Sequence, residues 1–276
     1  MFTLNCKGRL LIIDKPIVMG IINITPDSFY KNSRIQQADA LLDKASALIS
    51  QGATVLDMGG QSTRPGSEFL FADVEMTRII PAIELVHKHF PEVIISVDTF
   101  WSSVASEAVK AGASIINDIS AGSIDHYMFE TVANLRVPYV LMHMKGTPQN
   151  MQQSPVYENL VKEVLDFFIT RIGRLKEVGV NDIIIDPGFG FGKTVAQNYL
   201  LFKNMGMFNM LDCPLLIGIS RKSMVTRTLN ISAIDAINGT TVLNTLALTH
   251  GANILRVHDV KEATDAIKIY EAYRCA

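Results

Sequence analysis

The sequence is poor in cysteine and lacks the features that mark a chain for a membrane or for nucleic acid. Its three cysteines, Cys6, Cys213 and Cys275, are odd in number and have no metal-ligand spacing. That argues against a disulfide framework or a zinc site and fits free thiols in a reducing cytoplasm. No apolar stretch approaches the roughly 20 residues that a bilayer requires. The short apolar run at 10–13 is ended by Asp14, so neither a spanning helix nor a secretion signal is expected. Lysine and arginine number 25 against 27 acidic residues, a net charge of −2, and they are scattered along the chain. With no basic stripe to follow a phosphate backbone, nucleic acid and membrane are set aside as partners in favour of a small molecule. No low-complexity segment or break in composition marks a linker, so a single domain over 1–276 is expected.

What the chain does have is length and apolar mass. Its 276 residues, 48% of them hydrophobic, match the roughly 250 residues of a (β/α)8 barrel and supply a large core. Eight short runs rich in Ile, Val and Leu, at 18–22, 54–58, 93–97, 114–116, 139–142, 182–185, 215–218 and 253–257, are the expected strands. Between them, helical spacing predicts helices near 36–51, 73–88, 102–111, 127–135, 157–178, 196–209, 233–250 and 261–270. Gly52, Gly112 and Gly251 each stand between the end of a helix and the next strand, where a left-handed stop is favoured. Residues 2–13 read as a hairpin turning at Lys7-Gly8 that covers one end of a barrel. This alternation defines an α/β fold; an open doubly wound sheet would share it.

The residue on which each run ends separates the two. Asn23, Asp57, Asp98, Asn117, His143, Asp186, Arg221 and His258 lie at or just past strands one to eight. In a (β/α)8 TIM barrel such positions converge on the C-terminal face, where catalysis occurs. Any one of them reads equally well as a helix cap or a solvated loop residue; eight in succession do not.

Two segments then identify a family. Gly20-Ile21-Ile22-Asn23-Ile24-Thr25-Pro26-Asp27-Ser28-Phe29 and Asp57-Met58-Gly59-Gly60-Gln61-Ser62-Thr63-Arg64-Pro65-Gly66 resemble the signature segments of dihydropteroate synthases. Further blocks agree in order: Ser96-Val97-Asp98-Thr99, Ile115-Ile116-Asn117-Asp118, Met142-His143-Met144, the stretch from Asp186 to Lys193, Ser220-Arg221-Lys222-Ser223 and Arg256-Val257-His258-Asp259. Tyr30-Lys31-Asn32-Ser33 replaces the family's usual Ser-Asp-Gly-Gly-like stretch, and Gln61 stands where many members have Glu.

The resemblance implies a single (β/α)8 barrel that condenses 6-hydroxymethyl-7,8-dihydropterin pyrophosphate with p-aminobenzoate in folate synthesis. A pterin edge carries N–H groups and a carbonyl, so its pocket needs acceptors and a donor. Asp98, Asn117 and Asp186 fit the first need; by resemblance they read the pterin edge and Lys222 is the donor, with Met142 as pocket wall and Arg256 beside them. By resemblance, Asn23, Arg64, Arg256 and His258 take the pyrophosphate, with Mg2+ bridging Asn23 and the phosphates. Thr63, Pro65, Phe191 and Ser223 take p-aminobenzoate, Ser223 from the start of a helix after strand seven, where a carboxylate is favoured. Lys222, Arg256, His258 and Asp57 form the expected catalytic set. The family also implies a cytoplasmic homodimer and competition by sulfonamides, which mimic p-aminobenzoate.

Some features have plainer readings. Gly192-Lys193-Thr194 mimics the end of a phosphate-binding loop, yet the position where such a loop needs its first glycine is Pro187. His143 reads either as a satisfied rim histidine or as a direct participant. Two other functions stay open: a methyltetrahydrofolate-dependent methyltransferase, which needs the pterin-reading residues but not the anion-binding set, and a non-catalytic binding or scaffold homologue, which has no need to retain both.

Overall fold

Alternate residues of a strand face opposite sides of its sheet, and here that rule separates two apolar layers. The structure, a computed structural model, describes residues 1–24, 34–61, 70–147, 151 and 155–276. Strands β1 (Phe2–Cys6) and β2 (Arg9–Ile13) pair antiparallel as the expected hairpin. The barrel strands are β3 (Ile17–Asn23), β4 (Val55–Gly59), β5 (Ile94–Asp98), β6 (Ile115–Asp118), β7 (Tyr139–Met142), β8 (Ile183–Asp186), β9 (Leu216–Ile217) and β10 (Ile254–Val257). They run parallel in sequential order from β3 to β8, β10 pairs with both β3 and β9, and one isolated bridge from Ile185 to Leu215 joins β8 to β9. The sheet therefore comes round on itself, and the doubly wound alternative falls.

Inward residues of every strand, among them Met19, Val55, Ile94, Ile115, Val140, Ile184, Leu216 and Ile254, pack with Leu4, Cys6, Leu11 and Ile13 of the hairpin. The hairpin thus plugs the N-terminal mouth. The outward residues, such as Leu56, Ile95, Ile116 and Leu255, form the larger core against the helices.

The helices are α1 (Arg34–Ser50), α2 (Ala72–His89), α3 (Ser102–Ala111), α4 (Met128–Leu135), α5 (Leu160–Glu177), α6 (Val195–Lys203), α7 (Ser223–Leu229), α8 (Ile237–Thr249) and α9 (Val260–Arg274). The three glycine joints adopt the expected geometry, with φ of +107° at Gly52, +128° at Gly112 and +95° at Gly251. At each, the following alanine N–H donates five residues back: Ala53 to Leu48, Ala113 to Ala108 and Ala252 to Ala247, at 3.0, 2.9 and 3.1 Å. This is the Schellman closure, which satisfies a carbonyl the helix end leaves over.

Two expected helices differ. The one near 196–209 breaks at Asn204, and Met205–Leu211 continues as a 3-10 helix; Gly206, a poor helix former, lies just past the break. The helix near 233–250 begins only at Ile237, and α7 precedes it, ended by Asn230 in the left-handed region. Cys6 and Cys213 are buried and Cys275 is exposed, all three free. Among the described residues no helix is long and apolar enough to cross a membrane.

Candidate active site

The inward parity that fills the barrel floor with aliphatic side chains delivers the residues of the site, most of them polar, two or four residues later. Val55 leads to Asp57, Ile94 to Asp98, Ile115 to Asn117, Val140 to Met142, Ile184 to Asp186, Leu216 to Gly218 and Ile254 to Arg256. A pocket opens there, lined by Asp98, Asn117, Ile119, Met142, Asp186, Phe191, Gly218, Lys222 and Arg256. Seven of the nine are residues singled out from sequence. Ile119 and Gly218 were missed, since one looks like any core isoleucine and the other contributes only room.

Arg256 is held from two sides. Its Nε donates to Asp57 Oδ2 at 2.6 Å and its Nη2 to Asp98 Oδ2 at 2.7 Å. Burial works against its charge, but Asp57 and Asp98 outweigh burial and push its pKa above the ordinary arginine value. A guanidinium has five N–H donors, so these two bonds leave three for a ligand. Asp57 is fully buried below the lining and also accepts from Asn117 Nδ2 at 3.1 Å. It orients both the arginine and the amide.

Burial pushes Asp98 up to about 7, with Asp57 and Asp118 adding to the rise and Arg256 opposing it. Asp186 also rises through burial, against the pull of Lys222 and a hydrogen bond from Gly188 N to its Oδ1 at 2.8 Å. Lys222 is pushed down to about 8 by burial, with Asp186 resisting. Its Nζ donates to Phe189 O at 2.7 Å and lies 4.7 Å from the centre of the Phe191 ring. Met142 and Phe191 pack with Phe100, Ile119 and Met151 as an apolar wall. The result is a slot with an apolar wall, two carboxylates and an amide at the edge, and cations beside them. Such a slot suits a flat heterocycle with several N–H donors.

Other expected residues stand around the mouth rather than in the slot. Asn23 is exposed at the end of β3, and Ser223 is exposed as the first residue of α7. His258 follows β10, half-buried, with its N–H donating to Ser220 Oγ at 3.2 Å. Burial and then Arg256 lower its pKa to about 4, which holds the ring neutral. Thr63, Arg64, Pro65 and the Tyr30–Ser33 departure lie outside the described residues.

The sequence left the role of His143 undecided and argued against a phosphate-binding loop at 192–194, and the structure accounts for both. His143 Nδ1 meets Lys193 Nζ at 2.9 Å, and its ring packs edge-on against Phe167. It is a satisfied rim histidine, held neutral by burial and by Lys193. Lys193 also donates to the carbonyls of Gly188 and Phe191, each at 3.0 Å, while Thr194 caps α6 in a capping box with Gln197. The apparent nucleotide motif is a loop pin followed by a helix cap. Arg221 forms a two-pronged bond to Asp259, at 2.9 and 2.6 Å, tying the turns after β9 and β10 together.

Closed barrel, C-terminal pocket and donor-reading edge together define an enzyme of the pterin-binding class. The family described as pterin binding enzyme matches residues 19–258. A relative from Escherichia coli K12 named dihydropteroate synthase is 40% identical over 98% of this chain and 95% of its own length. The solved Yersinia pestis dihydropteroate synthase, described with a sulfonamide drug complex, superposes with a TM-score of 0.93 at 40% identity and covers both chains fully. The Xanthomonas albilineans enzyme, described with 4-aminobenzoic acid, gives 0.91 at 38% identity over 99% and 98% of the two chains. The chain belongs to the dihydropteroate synthase family.

Proposed function

We infer that this chain joins 6-hydroxymethyl-7,8-dihydropterin pyrophosphate to p-aminobenzoate, yielding 7,8-dihydropteroate and pyrophosphate for folate synthesis. The observation that carries this reading is the slot in which Asp98, Asn117 and Asp186 face Lys222 and Arg256. The acceptors read the pterin N–H groups, and Lys222 donates to the ring carbonyl and N5. The remaining N–H groups of Arg256, together with Arg64, His258 and Asn23, take the diphosphate; the anion raises the pKa of the neutral His258 towards its charged form.

As the C–O bond breaks, the leaving pyrophosphate takes the electron pair. Fixed cations stabilise that growing charge more than they stabilise the bound substrate. The lone pair of the aniline nitrogen then forms the new C–N bond, and the nitrogen sheds a proton. An aniline is already neutral at pH 7, so no nucleophile–histidine–acid arrangement is needed. The wall around Phe191, with Thr63, Pro65 and Ser223, receives p-aminobenzoate, and sulfonamides compete there.

Among the described residues no group of three His, Cys, Asp or Glu side chains could hold a metal by itself. That fits magnesium, which takes few protein ligands and completes its shell with water and phosphate oxygens. The exposed amide oxygen of Asn23 is the donor offered. When bound, Mg2+ would neutralise charge on the phosphates.

The three free thiols suit a cytoplasmic setting. Exposed Leu200, Met207, Met210, Leu229, Val242 and Leu246, on α6 to α8 and the 3-10 segment, support a homodimer, which a solution mass measurement decides. The activity is tested by incubating the protein with both substrates and Mg2+ and measuring dihydropteroate and pyrophosphate in equal amounts. Product from the pterin substrate without p-aminobenzoate, or none at all, rejects the reading.

A further inference from the structure

A carboxylate that the chemistry above does not use lies one helix away from the pocket. Glu75, in the first turn of α2, is fully buried. Its Oε2 accepts from Thr99 Oγ1 at 3.2 Å, and Thr99 directly follows the pocket residue Asp98. Thr99 Oγ1 in turn accepts from Trp101 N at 3.2 Å, and Trp101 Nε1 donates to Leu70 O at 3.1 Å. On its other side Glu75 backs onto Gly60, so closely that a β carbon there would lie 3.1 Å from Glu75 Cγ.

Gly60-Gln61 and Leu70 are the residues on either side of 62–69, the segment that carries Thr63, Arg64 and Pro65. Both flanks of that segment are therefore tied to one three-residue turn, Thr99–Trp101, immediately after Asp98. Glu75 makes the first tie and Trp101 the second.

We propose that Glu75 is a positioning residue for the reaction, bracketing the chain that leaves β4 against the strand end that carries Asp98. Two buried oxygens support this. Glu75 Oε1 and Gln61 Oε1 are both shielded from water with no hydrogen-bond partner, a state that costs free energy for each. A proton on Glu75 makes its carboxyl a donor as well as an acceptor, so that fewer buried acceptors are left without a donor. The surroundings favour that proton: burial raises Glu75 to about 8, Asp98 on β5 adds to the rise, and Thr99 and Arg78 only partly offset it. A buried carboxyl is weak evidence for stability, since an apolar residue of similar volume often does as well or better. Its place between two parts of the site points to geometry instead.

The proposal rests on the dihydropteroate synthase reading only for its substrate arm. Glu75→Leu keeps the volume and removes the polar tie, Glu75→Gln keeps length and hydrogen bonding without titrating, and Glu75→Asp keeps the acid but shortens the reach. Three measurements apply: the melting temperature, amide exchange at 59–61 and Leu70 together with the emission of Trp101, the sole tryptophan, and the KM for p-aminobenzoate against kcat. Glu75→Leu is expected to melt no lower than wild type, to exchange faster at those amides, and to raise KM by about tenfold or more with kcat changed less than about threefold. Glu75→Gln is expected to restore both readouts, whereas Glu75→Asp is not. Wild-type exchange and KM in Glu75→Leu overturn the proposal, as does a Glu75→Gln variant as impaired as Glu75→Leu. Should Glu75→Leu fail to fold, Gln against Asp decides by the same criteria. Absence of turnover in the wild type would reject the proposed function, while exchange and Trp101 emission would still decide the bracket.

Discussion

Asp98 lines the pocket at a cost to the fold. A carboxylate is the better acceptor for a pterin N–H, yet burial raises this one to about 7 against an unfolded value near 3.9. Between those values the native protein holds a proton that the unfolded chain has shed. Its contribution to stability is therefore fully present below pH ~4 and is lost as pH rises through about 7. Asp98→Asn cannot titrate and keeps an oxygen for Arg256, so its melting temperature should gain on the wild type between pH 5 and pH 8, while pterin affinity falls about tenfold or more. Thermal melts at both pH values and calorimetric titration with the pterin check this; a variant that loses stability equally at both would refute it. Asp98, Asn117 and Asp186 were legible in the sequence because each follows an inner-layer aliphatic residue at even spacing. The grip on Arg256 was not, for Asp57 lies 199 residues away in sequence and meets it only when the barrel closes.

At the scale of the element, the same residue type has opposite meanings. Gly188, in the turn after β8, has φ of +67°, and a β carbon there would fall 1.9 Å from His143 O. Gly188→Ala should destabilise by more than ~2 kcal/mol and weaken pterin binding, because Gly188 N also holds Asp186. Gly173 lies within α5 with nothing within 4 Å of an added carbon. Gly173→Ala should stabilise by about 0.5–1 kcal/mol through helix propensity alone. Denaturant melts of the pair test both signs. Strand ends and glycine joints were readable because local backbone demands set them, as at Gly52, Gly112 and Gly251. The joint at Gly179, with φ of +91°, shares that geometry but went unread, as did the break at Asn204, where polar and apolar residues mix without a strong period.

Across the whole molecule, stability and chemistry are at opposite ends. The hairpin packs on the barrel floor through Leu4, Cys6, Leu11 and Ile13, while the pocket opens where the strands end. Leu11→Ala should cost ~2–5 kcal/mol, as large-to-small core changes do, and leave both Michaelis constants unchanged at temperatures well below melting. A shift in either constant that matches the stability loss would contradict this division, which urea melts and steady-state rates can measure. The barrel's circularity was only half legible: eight strands could be counted, but the closing of the last gap shows, among the described residues, in the Ile185–Leu215 bridge.

That bridge makes the barrel a hoop with a single loose stave. β9 has only two residues, and Ile185 N donating to Pro214 O at 2.9 Å is one of the few rungs across the joint. Asp186 stands on one side of the gap, with Gly218 and Lys222 on the other. Any molecule that hydrogen-bonds to both Asp186 and Lys222 acts as a pin through the clasp. A substrate held by both would finish the cylinder that binds it, and filling the pocket should slow amide exchange at Ile185 and Ile217 more than at the continuous joint between β4 and β5.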